Sequence, residues 1–175
     1  MSALQAFRLF LEVVGGLMII FSLTLSIWAI ISWSMGIFPL FLRLGFGRWS
    51  RKIKIAANGD VYKSLEDDMK NTGIFRKGNI EQITSNSLAK IEEAGLVLVH
   101  YPSFTEEEIK RMVSLKKSSA GFIFYFPEFN PPTNVIPTEI LKVINNEPFT
   151  TVVNFRGRLM NDIVTTLLST SYDKR

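Results

Sequence analysis

The sequence predicts an α/β fold, a three-layer Rossmann-like or flavodoxin-like domain with a mostly parallel sheet of about five strands behind a transmembrane helix, and three observations predict it. Residues 13 to 42 carry no charged side chain. Beyond residue 52, short apolar runs alternate with segments of helical period. The spacing between successive runs is too long for hairpins, so the strands must run parallel, with helices covering both faces. Residues 1–52 therefore read as an anchor with a basic juxtamembrane segment, and residues 53–175 as one α/β domain.

Thirty uncharged positions, from Val13 to Leu42, reach about 45 Å as a helix, more than the roughly 30 Å hydrocarbon core of a bilayer. The excess predicts a division. Val13 to about Met35 crosses, and "GIFPLFLRLGFGRWSRK" lies in the far interface, because Pro39, Gly36, Gly45 and Gly47 break a helix. A cleaved signal peptide would show an apolar region of about 7 to 15 residues and a small-residue cleavage site, and neither is present. Arg43, Arg48, Arg51, Lys52 and Lys54 follow the segment, against Arg8 and Glu12 before it. Positive charge stays inside, so the domain is expected on the cytoplasmic side of the inner (cell) membrane. The absence of cysteine agrees. Trp33 and Trp49 are expected to mark the interface.

The net charge of +4 is unevenly distributed: residues 1–54 hold six basic and one acidic residue, leaving 14 basic and 15 acidic for the rest. The basicity belongs to the membrane edge, where anionic lipid attracts it, and direct nucleic-acid binding is not expected. The bilayer is the first partner implied. Gly15, Ser22, Ala29 and Gly36 recur at every seventh residue, with Ser26 adding a second small step from Ser22. Such a stripe lets helices approach closely with left-handed packing, so the segment reads as the seam of a homo-oligomer. The hydroxyls of Ser22, Thr24, Ser26, Ser32 and Ser34 do not share one face and can bond their own helix, which disfavours a pore.

Along the domain, "KIKIAA" is the first strand, Asn58-Gly59-Asp60 the turn after it, and "DVYKSLEDDMKN" a helix. "NIEQI" is a second short strand, followed by a helix "SLAKIEEA" opened by Ser85 or Asn86. Gly95 releases "LVLVHY", the third strand, and Thr105 with Glu108 forms a capping box that opens "EEEIKRMVSLKK", acids first and bases last. "FIFYF" after Gly121 is a fourth strand buried on both faces, and "PEFNPPTNVIP" is a rigid, exposed loop with four prolines. Pro137-Thr138-Glu139 starts the helix "EILKVINN"; "FTTVVNF" is the fifth strand, and the last helix runs from about Arg158 to Ser169.

Ligands of open parallel sheets bind beyond the carboxyl ends of the strands, near the point where strand order switches. Those ends carry Asn58, Gly59 and Asp60; His100, Tyr101 and Ser103; Pro127 and Glu128; and Asn154, Arg156, Gly157 and Arg158. "NFRGRLMND" is the sharpest of them, since two arginines flanking a glycine at a helix start bring guanidinium groups and free N–H donors together, an anion site in principle. The alternative is that Arg156 and Arg158 pair with Asp60 or Asp162 and lock the turn. The candidate ligand-binding set is Asn58, Asp60, His100, Asn154, Arg156 and Arg158. His100 is the sole histidine and there is no cysteine, so no metal site and no cofactor is expected. The GxxxxGK[ST], GxGxxG and GxSxG patterns are absent.

An apolar anchor followed by a compact Rossmann-like domain with a basic turn, in "VVNFRGRLMNDIVTTLLSTSYDKR", resembles the membrane-tethered effectors of prokaryotic antiviral systems, some with nucleotide-sensing CARF-like domains and others with NAD-cleaving TIR-like domains. The resemblance covers residues 53–170 as an order of elements. It implies a binding module that senses a nucleotide or other anionic ligand, or a protein partner, and signals to an oligomeric anchor. The alternatives are an enzyme acting on a nucleotide or NAD, with Glu128 or His100 as acid or base, and a scaffold whose proline loop and arginine turn bind another protein.

Overall fold

A computed structural model describes residues 3–37, 39–42, 45, 51–128, 130–132 and 134–170. Internal contacts separate Met1–Leu42 from Arg43–Arg175. The first unit is dominated by helix α1, Ala3–Ser34. Its stretch Leu4–Ser34 contains an 18-residue run with a mean hydropathy of 2.3 and no buried residue, so the helix is long and apolar enough to cross a membrane. Three of its hydroxyls bond within the helix: Thr24 donates to the Ile20 carbonyl at 2.9 Å, Ser26 to the Ser22 carbonyl at 2.9 Å and Ser34 to the Ile31 carbonyl at 2.7 Å.

The helix ends at Gly36, whose φ of +74° is natural only for glycine. Gly36 thus lies outside α1, and the seven-residue stripe within the helix runs through Gly15, Ser22 and Ala29. Pro39 does not break a helix as expected. Residues 39–42 are helical, and proline is tolerated in a first turn because its missing N–H has no partner there anyway. Arg43, Gly47, Arg48 and Trp49 lie outside the described residues.

The second unit is a five-stranded sheet flanked by helices. In chain order it consists of β1 (Ile53–Ala56), α2 (Gly59–Asn71), β2 (Ile80–Ile83), a 3-10 segment (Ser85–Glu93), β3 (Leu96–His100), α3 (Glu106–Ser114), β4 (Gly121–Tyr125), α4 (Thr138–Asn145), β5 (Thr150–Val153) and α5 (Arg156–Ser169). The strand order is β2-β1-β3-β4-β5 and every pairing is parallel. This is the doubly wound order in which the chain moves outward from β1 in one direction, then returns past it and proceeds in the other.

Two cores follow from the alternation of side chains along the strands. On one face, Leu65 and Met69 of α2 and Leu159, Ile163 and Leu167 of α5 pack on Ile53, Ile55, Leu98 and Ile123. On the other, Leu88 and Ile91, Ile109 and Met112 of α3, and Ile140 and Ile144 of α4 pack on Ala56, Val97, Phe122 and Phe124. β3 and β4 are buried along their whole length, as strands covered on both faces must be.

Several local expectations are refined. Residues 85–93 form a 3-10 rather than an α-helical segment, kinked at Ser87, and the cap is Thr84, in a reciprocal box with Ser87, rather than Ser85 or Asn86. α5 begins at Arg156 instead of Arg158. The proline loop is anchored, not wholly exposed: Ile136 is buried in the second core, and the Asn134 amide donates to the Glu128 carbonyl at 2.7 Å.

Three of the five basic residues assigned to the membrane flank serve the domain. Arg51 is buried, and its guanidinium donates to the Leu167 carbonyl at 2.8 Å and to the Thr170 hydroxyl and carbonyl at 2.5 and 2.9 Å. These are the carbonyl groups that a helix C-terminus leaves without partners. Lys52 pairs with Glu93 at 2.9 Å. Lys54 is wholly buried in β1, where its ammonium bonds the carboxylate of Glu81, its register partner on β2. Lys90 approaches the same carboxylate at 2.5 Å. The hydrogen bonds from Lys54 and then Lys90 hold Glu81 at a pKa of about 2.

Candidate functional site

The strand order fixes where a ligand crevice lies, because the connections leaving β1 and β3 pass to opposite faces of the sheet. Two loops meet there. β1 ends at Ala56 and hands over to Asn58 and Gly59, the latter with φ of +52° and open space around its α-carbon. β3 ends at His100 and turns through the short 3-10 segment Tyr101–Ser103, with Pro102 stiffening it. The Asn58 side-chain amide donates to the Ser103 carbonyl at 3.3 Å, tying the two loops together.

Behind this tie, His100 Nδ1 lies 2.7 Å from Ser103 Oγ, and the imidazole tilts against Tyr125 with ring centroids 6.0 Å apart. The ring is largely buried. Burial lowers the His100 pKa, with the Glu128 carboxylate pulling the other way, so imidazole at this position favours its neutral form. Asn58, at the N-cap of α2, makes no side-chain capping bond. The first N–H groups of that helix are therefore not covered by its own cap residue.

The six predicted residues do not form one cluster. Asn58 and His100 meet at the β1/β3 crevice. Asp60 is in the first turn of α2, but its side chain is 101% exposed and, among the described residues, its ion pair is with Lys63, at 3.8 Å. Asn154, Arg156 and Arg158 follow β5, at the edge of the sheet and three strands from β1, which at about 4.8 Å per strand is some 14 Å away.

The arginines there are occupied. Arg156 Nε donates to the Asp68 carboxylate at 2.7 Å, a bond that raises the guanidinium pKa, and its Nη2 donates to the Ser64 hydroxyl at 2.6 Å. Arg158 lies 3.9 Å from Asp162. Arg156 thus pairs with Asp68, a partner neither reading named, and Arg158 faces Asp162, one of the two carboxylates the alternative reading named.

Ser103 and Tyr125 are the crevice residues missing from the predicted set. Ser103 stands in the sequence at a strand end, three residues after His100, a spacing that a single tight turn closes. Tyr125 carries no such signal, because its role depends on β4 lying beside β3. Among the described residues no cluster of His, Cys, Asp and Glu has the makings of a metal site.

The fold and the crevice define a class, a doubly wound parallel α/β domain of flavodoxin-like strand order with its polar crevice at the switch point. Comparison with protein-family models, with curated proteins and with solved structures returns no match.

Proposed function

We propose that the chain is a membrane-anchored sensor whose α/β domain binds a nucleotide or another small anionic ligand in the β1/β3 crevice, with α1 holding it, as a homo-oligomer, in the cell membrane and the domain in the cytoplasm. The observation that carries this reading is the strand order β2-β1-β3-β4-β5, because the crevice it creates is where such sheets take their ligands. Asn58, His100 and Ser103 supply polar contacts there, and the N-terminal turn of α2 supplies N–H donors suited to an anion. Arg156, bound to Asp68, holds α5 on α2 and is not a ligand contact in this reading. The same arrangement suits the antiviral effectors that the order of elements resembles.

The test is mass spectrometry of small molecules released from the detergent-purified full chain. A phosphorylated compound present in the wild type and in Arg158→Ala, but lost in Asn58→Ala and Ser103→Ala, is the expected result. Absence of any released compound, together with no thermal shift across a nucleotide panel, would refute it. The pairing of a neutral imidazole with a hydroxyl at 2.7 Å favours a second reading, a nucleotide- or NAD-processing enzyme using His100 as base. Turnover by the purified chain, lost in both His100→Gln and Glu128→Gln, distinguishes it from a sensor.

A further inference from the structure

The sole histidine of the chain and a hydroxyl stand together where a doubly wound sheet takes its ligands. His100 closes β3, Ser103 closes the 3-10 turn behind it, and Pro102 stiffens the chain between them. The 2.7 Å between His100 Nδ1 and Ser103 Oγ falls within the roughly 2.6–3.2 Å that a base and the nucleophile it activates require. The histidine is 8% exposed, whereas Ser103 is only partly buried, so the base is shielded from water while the serine borders the crevice.

The surroundings suit a proton transfer between the two. Burial favours the neutral imidazole, which is the form that accepts a proton, and the Glu128 carboxylate favours the imidazolium once the proton has arrived. The Asn58 amide holds the Ser103 carbonyl at 3.3 Å instead of capping α2. The N–H groups that open α2 are thereby left uncovered one residue further along the chain. Gly59 has nothing within 4 Å of where a Cβ would stand, so a substrate can approach the backbone there closely.

We propose that Ser103 is a nucleophile, that His100 is its general base, and that the crevice hydrolyses a carboxylic ester. Ser103 Oγ bonds to the carbonyl carbon as its proton passes to His100 Nδ1, and the N–H groups at the start of α2 stabilise the resulting oxyanion. The C–O bond to the alcohol then breaks, and the imidazolium gives its proton to the leaving alkoxide. Water attacks the acyl-serine by the same route, which releases the acid and restores Ser103. A carbonyl electrophile is the class that fits, because its oxyanion carries a single charge that backbone donors alone can meet. The inference rests on the crevice named above as the site, but not on a nucleotide or other anion binding there.

A fluorophosphonate probe on the detergent-purified full chain, read by peptide mass spectrometry, tests this: Oγ bonds to phosphorus, fluoride leaves and the imidazole takes the proton. The adduct is expected on Ser103 about a hundredfold faster than on the exposed Ser118, absent in Ser103→Ala and slowed at least tenfold in a folded His100→Gln. Hydrolysis of p-nitrophenyl acetate is expected in the wild type and not in Ser103→Ala. Because His100 is buried and its replacement bears on folding, Ser103→Cys supplies a second measurement. Iodoacetamide near pH 6.5 is expected to alkylate it at least tenfold faster than Ser118→Cys, since a neighbouring imidazole promotes the thiolate. No adduct at Ser103, an adduct formed as fast in folded His100→Gln, no ester turnover, or a thiol at 103 no faster than one at 118 overturns the proposal. A released phosphorylated compound with no adduct at Ser103 rejects the nucleophile and keeps the sensor, whereas an adduct with no released compound does the reverse.

Discussion

The two ends of the sheet are built on different terms. At the amino ends of the strands the structure is closed: Arg51 caps the carbonyls of α5, and Gly121 leaves no space, since a Cβ there would stand 2.3 Å from the methyl of Thr166 and 2.9 Å from Leu96. At the carboxyl ends it is open. Gly59 and Gly157 have nothing within 4 Å of where a Cβ would lie, Asn58 does not cap its helix, and Phe155 faces solvent. Arg51 spends its polar groups on the fold itself, whereas Asn58 leaves the first N–H groups of α2 uncovered.

The largest effect that separates the two ends is expected at Arg51. Arg51→Ala removes a buried cation and leaves the carbonyls of Leu167 and Thr170 short of donors, so a loss of about 3 kcal/mol is expected in urea unfolding. Asn58→Ala at the opposite end removes one long hydrogen bond from an exposed residue and should change stability by less than about 0.5 kcal/mol. Equal losses at the two positions would erase the distinction.

Gly121→Ala comes next. Its new methyl collides with Thr166 and Leu96, and overpacking of this kind costs about 1–3 kcal/mol. The same change at Gly157 meets open space and is expected to be neutral or mildly stabilising. Thermal unfolding of the two single variants compares the ends directly.

A smaller contrast lies between two helix starts on the open edge. Thr105 accepts from the Glu108 N–H at 3.3 Å while Glu108 accepts from the Thr105 N–H at 2.8 Å. Thr105→Ala is expected to cost about 1 kcal/mol. Asn58, at the corresponding position of α2, has no such bond to lose. A cost at Asn58 matching that at Thr105 would show that its side chain supports the fold and is not held for a ligand.

The same contrast explains what was legible in the sequence. Features fixed by near neighbours could be read: the Thr105–Glu108 box, the apolar runs at 96–100 and 121–125, and the helix from Gly59 to Asn71. Features fixed by distant partners could not. Arg51 and Lys54 read as membrane-edge charges because composition alone cannot show that one caps α5 and the other meets Glu81 across the sheet. Arg156 read either as an anion-binding group or as a partner of Asp60 or Asp162, and Asp68 went unnamed because it is 88 residues away and adjacent only once α2 and α5 share a face. Residues 85–93 read as α-helix because Leu88 and Ile91, three apart, fit either helical period. The crevice was half legible, since Asn58 and His100 stand at strand ends, whereas Tyr125 joins them only through strand order.

The smallest effect is a pH dependence that sorts the two kinds of charge by window. The folded state lowers the His100 pKa by burial, so between the folded value and the unfolded value of about 6.5 the unfolded chain binds more protons. The contribution of neutral His100 is therefore complete above about pH 6.5 and is lost as pH falls through the folded pKa. Glu81 titrates lower: with its pKa held at about 2 against an ordinary 4.5, its contribution is present above 4.5 and lost as pH falls toward 2. Urea unfolding at pH 7.5 and 5.5 should show a small loss in the wild type that His100→Gln abolishes and Glu81→Gln leaves in place. If instead Glu81→Gln removes the change in that window, the imidazole is not the group being titrated, and the case for a neutral His100 in the crevice fails.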